Sequence, residues 1–173
     1  MGKRLNVWQV VGYSNSGKTT LVEQLLHAAT MNGKRVATIK HHGHANKLAT
    51  LDQGKDSSRH RQAGALGSAV VANGILQLQI EQERSWGVDE VLGMYQALQL
   101  DAVLIEGFKY EAFPKIAIVR NHADYESLKT LANVKALLCW DDFAHSSESV
   151  VTFRTSESLQ LASWLLEQWR VKE

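Results

Sequence analysis

Cysteine and proline are nearly missing: the 173 residues contain one of each. A lone cysteine, Cys139, excludes an internal disulfide and a cysteine zinc cage. No apolar run approaches the ~20 residues that a membrane-spanning helix needs. The opening, Met1-Gly2-Lys3-Arg4-Leu5-Asn6, carries charge with no apolar stretch behind it, so it does not read as a secretory signal. An excess of one charge is missing too, since 19 basic and 18 acidic residues leave a net charge of +1. That balance argues against a general binder of nucleic acid or of a membrane surface. These absences read as a cytoplasmic protein. What remains is an ordinary globular composition, 45% hydrophobic and 21% charged, in a length that fits one domain over 1–173.

Leu5 to Val11 is an apolar run with the pattern of a buried strand, and it ends at Gly12. Leu21, Val22, Leu25, Leu26 and Ala29 then recur at helical spacing from Thr19 to Asn32, with Gly33 as the stop. Arg35 to Lys40 is a second strand, so the start of the chain is a βαβ unit with parallel strands. His41 to Gln53 has no period and reads as a loop. Asp56 opens a short helix to Ala63. Ser68 to Ala72 and Leu76 to Ile80 flank Asn73-Gly74, a strong hairpin signal; alternation of Leu76, Leu78 and Ile80 with glutamines gives the second strand one wet face. Helices are expected from Val88 to about Gln99, from Tyr125 to Leu131, and from near Ser156 onward. Strands are expected at Asp101–Glu106, Ile116–Val119, Val134–Trp140 and Val150–Phe153. Cys139, Trp164 and Trp169 read as packing residues.

Gly12-Tyr13-Ser14-Asn15-Ser16-Gly17-Lys18-Thr19 matches the phosphate-loop pattern G-x-x-x-x-G-K-[ST]. It lies directly after a buried strand and opens a helix, where that chemistry needs it. The glycines let the backbone around Asn15 and Ser16 curl so that N–H groups point inward at the α- and β-phosphates. Lys18 is placed for the β- and γ-phosphates and the Thr19 hydroxyl for Mg²⁺. The fold class that follows is an α/β, three-layer P-loop NTPase fold. Its mostly parallel sheet is flanked by helices and carries an inserted antiparallel hairpin.

Such a site needs an acid beyond the carboxyl end of a neighbouring strand. Glu106 ends an apolar strand and is the first candidate for the metal shell; Asp56 is the second. Lys40, Lys47, Lys55, Arg59 and Arg61, with His41, His42, His44 and His60, make the 40–61 segment locally basic, which suits a small polyanionic ligand. Without cysteine or a further paired histidine, His41, His42 and His44 do not read as a metal site. No Asn/Thr-Lys-x-Asp base-reading motif is present, since Asn46-Lys47 runs into Leu48-Ala49. Asp141 and Asp142 after the late strand read equally as acceptors for guanine and as solvated acids opening a loop. No Asp-x-x-Gly with a catalytic glutamine follows, so no catalytic residue is assigned.

The order of the phosphate loop, Thr38-Ile39-Lys40-His41-His42, Gly54-Lys55-Asp56-Ser57, Ala63-Gly64-Ala65, Ile105-Glu106-Gly107-Phe108-Lys109 and Pro114-Lys115 resembles the MobB (molybdopterin-guanine dinucleotide biosynthesis protein B) family over essentially the whole chain. The resemblance implies a GTP-binding homodimer. It would act as an adapter for the guanylyltransferase that joins GMP to molybdopterin, and would hydrolyse GTP weakly. Gly12, Gly17, Lys18, Thr19 and Thr20 then correspond to nucleotide positions and Glu106 to the metal shell. Lys40, His41 and Asp56 fall in the second family segment. Gln53 stands where the family often has proline, which bears on Asp52. Lys40, His41, His42 and Arg59 are the candidates for a second anion, the phosphate of molybdopterin. The competing class is a small-molecule kinase, in which Arg59 and Arg61 would be lid arginines on the transferred group.

Overall fold

The computed structural model describes residues 5–42, 48, 54–143 and 150–170. His44, Asp52, Gln53 and most of the expected 41–53 loop lie outside the described residues. The chain groups into two compact units, Met1–Gly43 with Leu92–Glu173, and His44–Val91.

The first unit is built on a sheet of six strands: β1 (Asn6–Val11), β2 (Val36–Lys40), β5 (Ala102–Glu106), β6 (Lys115–Val119), β7 (Val134–Cys139) and β8 (Val151–Arg154). Their order is β2-β5-β1-β6-β7-β8, and every neighbouring pair is parallel. Parallel strands covered on both faces read as near-continuous apolar runs. Accordingly β5 and β6 are buried at every position. On one face Val10, Leu104, Ile116 and Ile118 pack with Leu21, Leu25, Leu161 and Leu165, which belong to α1 (Lys18–Met31) and α5 (Ser158–Arg170). On the other face Val11, Ala117, Val119 and Leu137 pack with Leu128 of α4 (His122–Leu128). Trp164 meets Trp8 edge to face at 5.6 Å, and Trp169 is in the same core. Burial pushes the Cys139 thiol above its ordinary value.

The second unit holds α2 (Asp56–Gln62) and the antiparallel hairpin β3 (Gly67–Ala72) and β4 (Ile75–Ile80). Both faces of most of this hairpin are exposed, including the apolar face of Val71, Leu76 and Leu78. The alternation was expected to mark one wet face only. Two strands alone bury no sheet face, so the apolar side is also open.

Element boundaries differ from the sequence pattern in instructive places. The helix from Val88 stops at Tyr95 rather than near Gln99; Gln96 and Leu98 donate to carbonyls only three residues back, as in a tightened last turn. Helix α4 begins at His122, three residues before the expected Tyr125, because Asn121 caps it by accepting from the Asp124 amide at 3.0 Å. Strand β6 begins one residue early, at a lysine that is fully buried.

Asp124 also closes a bidentate pair with Arg120, with Nε–Oδ2 at 2.6 Å and Nη2–Oδ1 at 3.1 Å, which ties α4 to the end of β6. Hydrogen bonding from Arg120 holds the Asp124 carboxyl below its ordinary 3.8. A lowered folded-state value contributes stability above the unfolded value, and that contribution disappears as pH falls through the folded one. Asp124→Asn is therefore expected to lower stability by about 1–3 kcal/mol at pH 7. The gap to wild type should close as urea melts are taken below about pH 3.9.

Candidate functional site

Parallel register places Val10 beside Glu106 and Glu106 beside Lys40, all at the carboxyl edge of the sheet. The chain leaves β1 there, turns through Gly12–Gly17, and enters α1. Two glycines make the turn possible. A Cβ on Gly12 would stand 2.6 Å from Ser16 Oγ and 3.2 Å from the Ile118 carbonyl oxygen. Gly17 has φ +96° at the N-cap, in the left-handed region that glycine enters without a Cβ penalty. No side chain caps the helix start, so its leading N–H groups are left for a ligand.

Three loop carbonyls are engaged by side-chain donors. Lys18 Nζ donates to Tyr13 O at 2.6 Å, Arg120 Nη1 to Ser14 O at 3.2 Å, and Trp140 Nε1 to Ser16 O at 3.1 Å. The Arg120 and Trp140 bonds hold the Ser14 and Ser16 peptides in place, while the Lys18 bond lies within the loop itself. Asn15 holds φ 58°, a conformation asparagine tolerates better than most residues. Ser16 Oγ is buried with no hydrogen-bond partner among the described residues, an orphaned polar atom inside the loop that suits a polar ligand.

Thr19 Oγ1 lies 3.1 and 3.2 Å from the two carboxylate oxygens of Glu106. Lys40 Nζ contacts both groups, at 2.9 Å from Glu106 Oε1 and 3.2 Å from Thr19 Oγ1. A cation thus already stands on a hydroxyl and a carboxylate, a hard-oxygen pair suited to Mg²⁺. The donor set fits a divalent ion whose other ligands come from water and phosphate. Among the described residues no group of three or more His, Cys, Asp or Glu forms a separate metal cage. Burial pulls the Lys18 ammonium below its ordinary value; nearby Glu106 opposes this, and Lys40 and Arg120 reinforce it.

A family model for molybdopterin guanine dinucleotide synthesis protein B (MobB) matches residues 7–140. The chain belongs to the MobB family. A Bacillus subtilis relative named probable molybdopterin-guanine dinucleotide biosynthesis adapter protein is 42% identical over 75% of this chain and 73% of its own. The crystal structure of Bacillus subtilis MobB superposes with a TM-score of 0.82 at 34% identity, covering 95% of this chain and 98% of that one. A MobB protein homolog from Bacillus stearothermophilus gives 0.79 at 37% identity, over 97% and 100%.

In this MobB-family chain Gly12, Asn15, Ser16, Gly17, Lys18, Thr19 and Thr20 form one strand-to-helix turn, and Lys40 and Glu106 meet Thr19 beneath it. His41 donates its amide to Glu106 O at 2.9 Å and rests its ring on Phe108 at 4.6 Å. Asp56 and Arg59 belong to the other unit, where they form an exposed 3.5 Å pair on α2. Arg61 is engaged with Ser57 O, Ser68 Oγ and Glu81. Asp141 accepts from Thr155 Oγ1 at 2.9 Å, from Ser156 Oγ at 2.8 Å and from the Ser156 amide at 3.2 Å. Bonds from the Ser156 hydroxyl and amide, then from Thr155, lower its pKa. It therefore anchors the approach to α5, while Asp142 beside it is exposed.

Arg120 and Trp140 were not singled out by their sequence context. Each directly follows the last residue of a strand that is apolar at its end, Val119 and Cys139, and the rule that selects Glu106 would have found them. Removing the resident cation provides a test of the metal corner. Lys40→Met should tighten Mn²⁺ binding to the nucleotide-free protein about tenfold or more, read from the free-ion paramagnetic resonance signal. Unchanged or weaker binding would remove Lys40 from that corner.

Proposed function

We propose that this chain is a Mg²⁺·GTP-binding adapter in the synthesis of molybdopterin guanine dinucleotide, assisting the guanylyltransferase that attaches GMP to molybdopterin. The observation that carries the reading is the Thr19–Glu106 pair under Lys40, at an uncapped helix start. Backbone N–H groups and Lys18 would bind the phosphates, Lys18 first leaving the Tyr13 carbonyl. Thr19 and Glu106 would hold the metal, which supplies charge neutralisation at the β- and γ-phosphates. Lys40, displaced by the divalent ion, would be released toward phosphate. Guanine is favoured by the relatives' printed role, with Asp142 the acid left to read the base. Lys40 and His41, both in the first unit, would serve the phosphate of molybdopterin, and the setting would be the cytoplasm.

Hydrolysis by the isolated protein is assigned a rate well below the ~1–100 s⁻¹ of kinases. Glu106 is the carboxylate at this corner, and it is engaged with Thr19 and Lys40. The kinase alternative asks Arg59 and Arg61 to reach a transferred phosphoryl group, but Arg61 is spent on Ser57, Ser68 and Glu81.

Calorimetry in Mg²⁺ with GTP and with ATP tests the nucleotide assignment. GTP should bind about tenfold or more tighter, the range expected when one base edge is read and the other refused. Lys18→Ala should abolish binding with an unchanged circular dichroism spectrum. Equal affinities, or full GTP affinity in Lys18→Ala, would overturn the reading.

A homodimer is part of the same proposal. Val71, Ile75, Leu76 and Leu78 are 74%, 63%, 62% and 50% exposed on a short two-stranded hairpin. An apolar surface on strands whose outer edges are unpaired among the described residues suits a second copy of the chain. Light scattering at micromolar concentration should give twice 19.3 kDa, and Leu76→Glu with Leu78→Glu should give the monomer mass. A wild-type monomer would contradict the dimer.

A further inference from the structure

Lys115 and Gln9 are fully buried, although the faces they occupy hold Val11, Ala117 and Val119 farther along the same strands. They are register partners on neighbouring parallel strands. Lysine is almost never buried at such a depth without partners, and here its partners are all oxygens. Nζ donates to Gln9 Oε1 at 2.6 Å, to Phe113 O at 2.9 Å, and to Glu111 O. The Gln9 amide faces the other way, donating to Phe108 O at 2.7 Å and Gly107 O at 3.1 Å.

One ammonium and one amide therefore hold the carbonyls of Gly107, Phe108, Glu111 and Phe113. These lie in the eight-residue loop, 107–114, that leaves the metal-facing carboxylate and returns to the sheet. Phe108 sits at φ 51°, a left-handed conformation that a bulky residue adopts only when its surroundings enforce it. Gln9 supplies that enforcement on both sides of the Phe108 nitrogen-to-carbonyl unit. Gly107 follows Glu106 directly, so a hold on the Gly107 carbonyl is one peptide from the Glu106 backbone. The Phe108 ring then backs His41, whose amide bonds Glu106 O.

We propose that Lys115 is a positioning residue whose buried ammonium acts as a tethered monovalent cation. It folds the 107–114 loop around itself and, with Gln9, holds Glu106 facing Thr19. The loop after the metal strand is thereby a fixed ledge rather than a segment that rearranges with the ligand. The metal consequence rests on the nucleotide reading above; the cation-cage consequence does not.

The test is Lys115→Ala in the full chain, with propylammonium, which replaces the deleted three carbons and nitrogen, against neutral 1-propanol. In the nucleotide-free wild type the amides of Gly107 and Glu111 are held by Val10 O and Phe108 O. In the variant their hydrogen exchange should rise about ten- to hundredfold, the loss expected when hydrogen bonds to a charged group are removed. The amides of Leu104 and Ile118 should stay protected. Propylammonium should restore the loop and 1-propanol should not. Unchanged loop exchange, or equal rescue by both additives, would overturn the proposal.

In the same samples the Mn²⁺-dependent part of GTP affinity should weaken and recover in parallel. Loop exchange that changes while this part stays at the wild-type value would overturn the positioning of Glu106. Absence of any metal dependence in the wild type would instead count against the nucleotide reading. Should Lys115→Ala fail to fold, Gln9→Met keeps the ammonium and removes the amide. Faster exchange at Gly107 with Glu111 less affected then supports the cage, and wild-type exchange at Gly107 overturns it.

Discussion

Three strand ends set in register decide what the rest of this molecule can do. Val10, Glu106 and Lys40 form one row at the carboxyl edge of β1, β5 and β2. The phosphate loop must start from the first, the carboxylate that accepts from Thr19 is the second, and a resident cation is the third. Thr19 reaches this row because α1 starts one turn after Gly12. A shift of one residue in either pairing would carry Glu106 or Lys40 to the opposite face of the sheet and dissolve the corner. The continuous burial of β5 and the apolar layers on both faces are what make that register costly to change.

The charge arrangement around the row follows from proximity. Lys18, Lys40 and Arg120 converge on a loop answered by Glu106 and Asp124, and the lowered Lys18 value reflects burial among these groups. An anionic ligand would relieve that crowding, and a divalent ion would replace Lys40 on the two oxygens it now contacts. Arg120 joins two tasks, since it bonds the Ser14 carbonyl and is itself clamped by Asp124. Helix α4 is thereby tied to the phosphate loop through one side chain. Lys115 answers a parallel problem on the far side of Glu106, where a loop with its own carbonyls turned inward needs a cation to gather them.

Much of this is legible in the sequence alone. The strand–loop–helix around Lys18, the mostly parallel sheet, the Asn73-Gly74 hairpin and the exit of Glu106 from an apolar strand all rest on local patterns of period and turn chemistry. What was not legible depends on which strands become neighbours. Lys115 reads as a loop residue after Pro114 until Gln9 is placed beside it, because nothing local says a lysine will be enclosed by carbonyls. Asp141 offered two readings from its position after β7, and the hydroxyls of Thr155 and Ser156 that engage it come from the far end of β8. Arg120 and Trp140 carry no acid signature at their strand ends, yet as donors there they bond the loop carbonyls of Ser14 and Ser16.

The central claim is that Lys40 occupies the place of a divalent ion and yields it to Mg²⁺ when the triphosphate binds. The most direct measurement is a crystal structure of the protein with Mg²⁺ and a non-hydrolysable GTP analogue. The account predicts a metal ion about 2.0–2.1 Å from Thr19 Oγ1, Glu106 in its shell, and Lys40 Nζ moved off both groups toward the γ-phosphate. A bound analogue with Lys40 still bridging Thr19 and Glu106, and the metal elsewhere or missing, would contradict it.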